Sequence, residues 1–293
     1  MRGAGACARA SRRACAATRP AEIGHPERSR MQHLFGHAGE AALAATMARR
    51  PLLAFDFDGT LTPIVARPDD ARLSLAVSTR LAALAARLPL AIVTGRRLDD
   101  VRGRLGFEPR FIVGNHGAEP DDMPAGGSLA SAALAALRQR LQDNRAELVG
   151  AGISVEDKGI SLALHYRLSR TRARALQVIA GLLRDHDPEL RVFGGKLVVN
   201  VVPVHSPDKA EAVRRLLQRC GAGCAFFAGD DINDEPVFAS APAHWLTVRV
   251  GREDANSRAM YFLDSPAEMP LLLEKMTAAL DTAEQSGPAA TSG

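Results

Sequence analysis

Two acidic segments carry residue types and a spacing that could do chemistry. The first is Phe55-Asp56-Phe57-Asp58-Gly59-Thr60-Leu61, in which an apolar run ends on two carboxylates two residues apart. Side chains at such a spacing point the same way on an extended strand, and a turn at Gly59 lets them face one site from different directions. Two buried carboxylates side by side are costly without a cation nearby. A bare Asp-x-Asp is more often a helix cap or a solvated turn; an apolar run before it and Gly-Thr after it favour a site. The second segment, Gly229-Asp230-Asp231-Ile232-Asn233-Asp234-Glu235, gathers three aspartates and a glutamate within six positions. Such a cluster repels itself unless a metal or a lysine neutralises it, and hard oxygen donors point to Mg²⁺ with several waters retained. The spacing does not fit a Ca²⁺ loop of the EF-hand type.

The elements that must hold these segments follow from pattern. Residues 52–57 read as a buried parallel strand running into a loop, and 75–88 have helical spacing of Leu and Ala. A second strand at 90–93 stops at Thr94-Gly95, a short helix at 98–105 is closed by Gly106, and a third strand at 110–113 ends at Gly114-Asn115-His116-Gly117. This order predicts an α/β fold with a doubly wound, mostly parallel sheet whose strand ends form one ligand-binding edge. The rhythm then changes to helix (126–148), hairpin (153–157 and 160–166), helix (171–186), hairpin (191–193 and 197–202). That is an α+β unit with an antiparallel sheet, expected as a cap inserted at 119–202. The α/β rhythm returns with a helix at 209–219, a strand at 225–228, a helix from Glu235, a strand at 246–250 and a last helix at 267–280. The core is thus expected over 49–118 and 203–281, with a loose tail at 282–293 and a disordered Arg/Ala-rich extension at 1–48. Met31 is an alternative start, and the extension has a faint transit-peptide composition but no secretory h-region.

Bulk properties exclude some partners. The chain has 293 residues, with 46% hydrophobic and 24% charged content, ordinary for a soluble protein of two domains. No uncharged apolar stretch approaches membrane-spanning length. The net charge is +4, but nine arginines against three glutamates give the first 50 residues +6 and leave the rest at −2. The folded part therefore lacks the basic stripe that binding a nucleic-acid backbone needs. Cys220 and Cys224 are one residue too far apart for a Cys-x-x-Cys motif and read as reduced thiols, in keeping with a cytoplasmic location.

Taken in order, Asp56-Phe57-Asp58-Gly59-Thr60-Leu61, Thr94-Gly95-Arg96, a lysine opening a helix at Lys209, and Gly229-Asp230-Asp231 with Asp234-Glu235 resemble the motifs of the haloacid dehalogenase superfamily of phosphatases. The resemblance implies that Asp56 is the nucleophile accepting the phosphoryl group and that Asp58 protonates the leaving oxygen, then activates water. It implies that Thr94 binds phosphate with the Gly95 N–H nearby, and that Lys209 offsets charge on the phosphoryl oxygens and on Asp56. It further implies an Mg²⁺ site made by the Asp56 carboxylate, the Asp58 backbone carbonyl and Asp230, supported by Asp231 or Asp234. Relatives that transport ions have Thr in place of Asp58 and hydrolyse their intermediate slowly. Lys209 departs from the pattern in being followed by Ala210, not Gly, and a solvent-facing lysine in a first helical turn is the rival reading.

The expected cap resembles that of trehalose-6-phosphate phosphatases. Gly114-Asn115-His116-Gly117-Ala118-Glu119 and the run from Val155-Glu156-Asp157-Lys158-Gly159 to His165-Tyr166-Arg167 carry that likeness. It implies a sugar phosphate as partner and sugar hydroxyls gripped by Glu156 and Lys158, with Arg96, Asn115 and His116 also at the substrate. The family normally carries Glu where this chain has Asn200, which puts the exact sugar in question; Asn233 replaces a common Thr. His116 either orients substrate or hydrogen-bonds its own turn, and His165, inside an alternating strand, reads as a packed or surface residue. Other sugar phosphates, or a catalytically silent sugar-phosphate-binding module, are the competing readings. The oligomeric state stays open, and a monomer would suffice.

Overall fold

Runs without a charged residue become the middle of a sheet. The computed structural model describes residues 31–65, 67–122, 132–252 and 256–286. In chain order its first half contains β1 (Gln32–His33), α1 (His37–Ala48), β2 (Leu52–Phe55), α2 (Leu75–Ala85), β3 (Leu90–Val93), α3 (Leu98–Leu105), β4 (Phe111–Gly114), β5 (Glu119–Pro120), α4 (Ala132–Asp143) and α5 (Arg145–Gly150). The second half contains β6 (Ser154–Asp157), β7 (Leu162–His165), α6 (Arg172–Leu183), β8 (Leu190–Gly195), β9 (Val198–Pro203), α7 (Lys209–Cys220), β10 (Ala225–Gly229), α8 (Glu235–Ser240), β11 (Leu246–Val250), β12 (Tyr261–Leu263) and α9 (Met269–Gln285).

The central sheet has the order β1-β12-β11-β10-β2-β3-β4-β5, parallel except at β5. Every residue of β2, β3, β4 and β10 is buried, as expected where helices cover both faces. One face packs Phe55, Ile92 and Phe226 against α1, α2 and α9; the other packs Ala54, Val93 and Phe227 against α7 and α8. β2 and β10 are neighbours in the sheet, so their C-terminal ends bring Asp56 and Asp230 to one edge. The second sheet, β6-β7-β9-β8, is antiparallel, and α4, α5 and α6 cover it around Leu137, Leu164, Ile179 and Val201. The α/β core with a separate α+β cap is therefore the observed architecture.

Local chemistry sets the helix starts that matter. The Asp208 carboxylate accepts from the Glu211 N–H and caps α7, which makes Lys209 its first residue and turns the side chain inward. Gly221, at φ 70°, ends the same helix in the left-handed conformation.

Four expectations are corrected. The extension does not run to residue 48 as a disordered segment: β1 pairs with β12, and α1 buries Leu43 and Met47 against α9. Its Arg- and Ala-rich setting hid a short helix with only two large apolar residues. Glu119 and Pro120 do not open the cap, because β5 pairs with β4 and belongs to the central sheet. The last helix starts at Met269 and continues to Gln285, past the expected end at 280. The helix expected over 126–148 is two helices meeting at Asn144; its expected opening, like the expectations for 1–30 and 287–293, lies outside the described residues. Among the described residues no helix is long and apolar enough to cross a membrane.

Candidate active site

Asp56 follows the last residue of β2, and its backbone N–H donates to the Ala228 carbonyl of the neighbouring β10. Its carboxylate is buried, 2.9 Å from Lys209 Nζ. The same ammonium lies 2.7 Å from Asp234 Oδ1, so one buried cation serves two buried acids. Lys209 is almost wholly enclosed, which rules out the solvent-facing alternative. Burial works against its charge, but the two carboxylates win and hold its pKa above the ordinary lysine range. Asp234 also shapes its own loop, since its Oδ2 accepts from the N–H groups of Asp230 and Asp231 at 2.9 Å. A β-carbon on Gly229 would fall 2.3 Å from the Asp234 carboxyl carbon, so this turn demands glycine.

Asp230 is fully buried beside Thr60, whose hydroxyl donates to it at 3.1 Å. Gly59, at φ 85°, passes so near that a β-carbon would lie 2.0 Å from Asp230 Oδ2. Asp56, Asp230 and Asp234 each place a carboxylate oxygen within 4.8 Å of the others. Burial pushes Asp56 well above the usual carboxylate range despite Lys209, and raises Asp230 to about 6. Three buried carboxylates crowded this closely are a donor set suited to a hard divalent cation, so these residues fit Mg²⁺.

Asp58 points elsewhere. Arg96 holds its carboxylate with Nε at 2.6 Å from Oδ2 and Nη2 at 2.7 Å from Oδ1, a two-pronged pair. Arg96 is anchored in turn by Asp100 at 2.7 Å and the Pro68 carbonyl at 2.8 Å. The Asp58 side chain is thus outside the three-acid cluster, though it too lines the cleft. Thr94 is buried at the end of β3, where its hydroxyl accepts from the Arg96 N–H at 3.2 Å.

A cleft of about 550 Å³ opens between the sheet edge and the cap. It is lined by every residue predicted for the site except Asn115. From the cap, Lys158 Nζ donates to the Gly95 carbonyl at 2.8 Å, and Glu156 pairs with His165 Nε2 at 2.8 Å. Burial lowers the Lys158 pKa. Burial alone would raise Glu156, but His165 and Lys158 pull it below the usual range, so it presents a charged carboxylate. His116 has φ 59° and packs edge-on against Phe193, with Nδ1 3.1 Å from the Asn233 amide. Burial first, then the nearby lysines, hold it well below the ordinary histidine pKa and keep it neutral. Asn200 is buried in β9 with its Nδ2 lacking a hydrogen-bond partner.

The trehalose-phosphatase family model matches residues 54–267, from β2 to the start of the last helix. The chain belongs to the trehalose-phosphatase family. A trehalose-phosphate phosphatase of Mycobacterium bovis (strain BCG / Pasteur 1173P2) is 34% identical over 243 residues, covering 78% of this chain and 62% of the relative. One of Mycolicibacterium paratuberculosis is 35% identical over 253 residues, covering 80% and 64%. The chain thus spans a little under two thirds of the length of these curated relatives. In fold it is similar to the C-terminal domain of the Candida albicans trehalose-6-phosphate phosphatase, with a TM-score of 0.71 at 21% identity over 86% of this chain and 98% of that one. A haloacid dehalogenase-like hydrolase from Bacteroides thetaiotaomicron gives 0.54 at 16% identity, over 78% and 99%.

One cleft residue went unread in the sequence and another was misread. Lys196, in the turn between β8 and β9, reaches Asp230 Oδ2 at 2.5 Å. The Gly194-Gly195-Lys196 turn was the available signal: Gly195 has room for no side chain beside Asp231 and Val198. His165, read as a packed or surface residue, lines the cleft and pairs with Glu156; its partner was hidden because Glu156 meets it only once β6 and β7 pair.

Proposed function

We propose that this protein is an Mg²⁺-dependent phosphatase that hydrolyses trehalose 6-phosphate through a phospho-aspartate on Asp56. The observation that carries this is a buried carboxylate at a strand end, shared with a buried lysine and backed by two further acids, beneath a cap that offers Glu156 and Lys158. Asp56 is placed to attack phosphorus, and Thr94 and Lys209 to hold the phosphoryl oxygens. The departing sugar oxygen takes a proton from Asp58. The Asp58 carboxylate so formed then takes a proton from the water that opens the phospho-aspartate. Asp56, Asp230 and the Asp58 backbone carbonyl would hold the cation, with Asp234 behind them. When bound, Mg²⁺ supplies positive charge against the phosphate oxygens and the carboxylates.

Glu156, charged and held by His165, suits sugar hydroxyls, and Lys158 closes over the Gly95 loop. Asn200 and His116 bring uncharged polar groups to the same wall. The reaction is placed in the cytoplasm, in keeping with the unpaired Cys220 and Cys224. The test is phosphate release with and without Mg²⁺ from trehalose 6-phosphate, glucose 6-phosphate, sucrose 6-phosphate and an aryl phosphate. Strong preference for trehalose 6-phosphate is expected. Equal use of the aryl ester would keep the chemistry and reject the sugar.

A further inference from the structure

Two consecutive residues other than glycine, Asn115 and His116, adopt positive φ angles of 48° and 59°. Such backbone is uncommon and persists only where surroundings hold it. Here the Asn115 N–H donates to the Arg96 carbonyl at 2.7 Å and the His116 N–H to the Thr94 carbonyl at 2.9 Å, which fixes both to the loop after β3. The side chain of Asn115 is nearly wholly buried and does not line the cleft, against the expectation that it binds substrate. Its Nδ2 donates to Glu119 Oε2 at 2.6 Å, and that same oxygen accepts from the Leu98 N–H at 3.0 Å, the first residue of α3. A carboxylate can only accept, so Glu119 settles which end of the amide faces the core. The other end, Oδ1, accepts from the Ser161 hydroxyl at 2.7 Å, and both partners are buried.

Ser161 belongs to the connection between β6 and β7, the cap hairpin that carries Glu156 and Lys158. The Lys158 N–H donates to the Ser161 carbonyl, so the two ends of this turn move together. Lys158 Nζ then contacts the Gly95 carbonyl beside Thr94. We infer that Asn115 is a positioning residue: clamped by Glu119, its amide seats the cap hairpin through Ser161 and so sets Glu156 and Lys158 over the cleft. The same left-handed backbone places His116 inside the cleft. One residue thereby couples cap seating to the floor of the site. When the cap lifts, water can reach both the amide and the hydroxyl; if one partner is missing in the closed state, the other stays buried and unpaired.

The role of the cap in gripping sugar rests on the proposed function, so the test has an arm that does not. Full-length wild type, S161A, N115D and N115D/E119Q are compared on trehalose 6-phosphate and on p-nitrophenyl phosphate, and by amide hydrogen exchange across 154–165 without substrate. S161A is expected to raise KM for the sugar ester about tenfold, as loss of one buried hydrogen bond would, and to speed exchange in the turn by a similar factor. Its kcat on that ester and its kcat/KM on the aryl ester stay within about twofold. N115D sets a carboxylate against Glu119 and loses more. Adding E119Q returns a donor opposite the new acceptor, gives up the Leu98 N–H contact that the same Glu119 oxygen accepts, and recovers part of that loss, a rescue that general damage to the fold would not show. Unchanged exchange and sugar KM in S161A would overturn the inference, as would equal loss on both esters with no recovery in the double variant. A wild type that does not prefer the sugar ester defeats the functional reading alone, and the exchange arm still decides the role of Asn115.

Discussion

The floor of the cleft and its roof are built on different physical terms. On the floor, Asp56, Asp230, Asp234 and Lys209 are all buried, and each charge exists because another offsets it. On the roof, Glu156 and His165 are part-exposed and pair with each other beside the cleft. Floor residues fail together, because a buried charge that loses its partner is costly. Roof residues can be changed one at a time, because solvent or substrate can replace what is lost. Under the proposed function, chemistry common to all phosphate monoesters would belong to the first set, and the choice of ester to the second.

The sharpest way to break that division is Asp56→Asn. It should lower turnover on both sugar and aryl esters by more than about 10⁴-fold, as removal of a nucleophile does. The protein should stay folded, because Lys209 keeps Asp234 as a buried partner and Asn is isosteric with Asp. Steady-state kinetics and a thermal melt on one preparation check both halves. Lys209→Met comes next. It leaves Asp56 and Asp234 without their cation and should cost about 3–5 kcal/mol of stability, read by urea unfolding with excess Mg²⁺ absent. A loss no larger than that of an exposed lysine would mean the floor is not electrostatically coupled.

The same division governs what the sequence could show. The floor was legible because its residues sit at fixed offsets from apolar runs: Asp56 directly after β2, Asp230 directly after β10. A parallel sheet aligns those ends, so local pattern predicts a shared edge. Lys196 was not legible, because its meaning lies in an acid 34 residues away brought near by the seating of the cap. Asn115 was misread for a similar reason. It stands next to His116, and only the left-handed backbone sends one side chain to the cleft and the other to Ser161. β1, β5 and β12, of two or three residues each, are too short to show a period. In α1 the apolar signal is carried by Leu43 and Met47 within an alanine-rich background. Leu43→Ala should cost about 2–4 kcal/mol by the cavity it leaves, without altering the preference between esters. A negligible change in the unfolding midpoint would return the segment to the status of an appendage.

Glu156→Ala tests the roof directly. It removes a charged acceptor and frees His165, so KM for trehalose 6-phosphate should rise about tenfold while hydrolysis of the aryl ester is nearly unchanged. Equal damage to every ester would move Glu156 from recognition to catalysis and erase the distinction between floor and roof.

Asn200→Ala gives the smallest effect and the finest test. Asn200 Nδ2 is buried without a protein partner, so deleting the amide removes a cost along with some packing. Stability should therefore change by less than about 1 kcal/mol, although the residue is buried. If that amide serves a sugar hydroxyl, KM for the sugar ester should rise roughly threefold to fivefold, with the aryl ester unaffected. The contrast between an unmoved melting point and a moved KM is what marks a group held for a ligand. The reverse pattern, a lower melting point with unchanged KM, would make Asn200 a packing residue and leave Glu156 and Lys158 to carry the selection of the sugar.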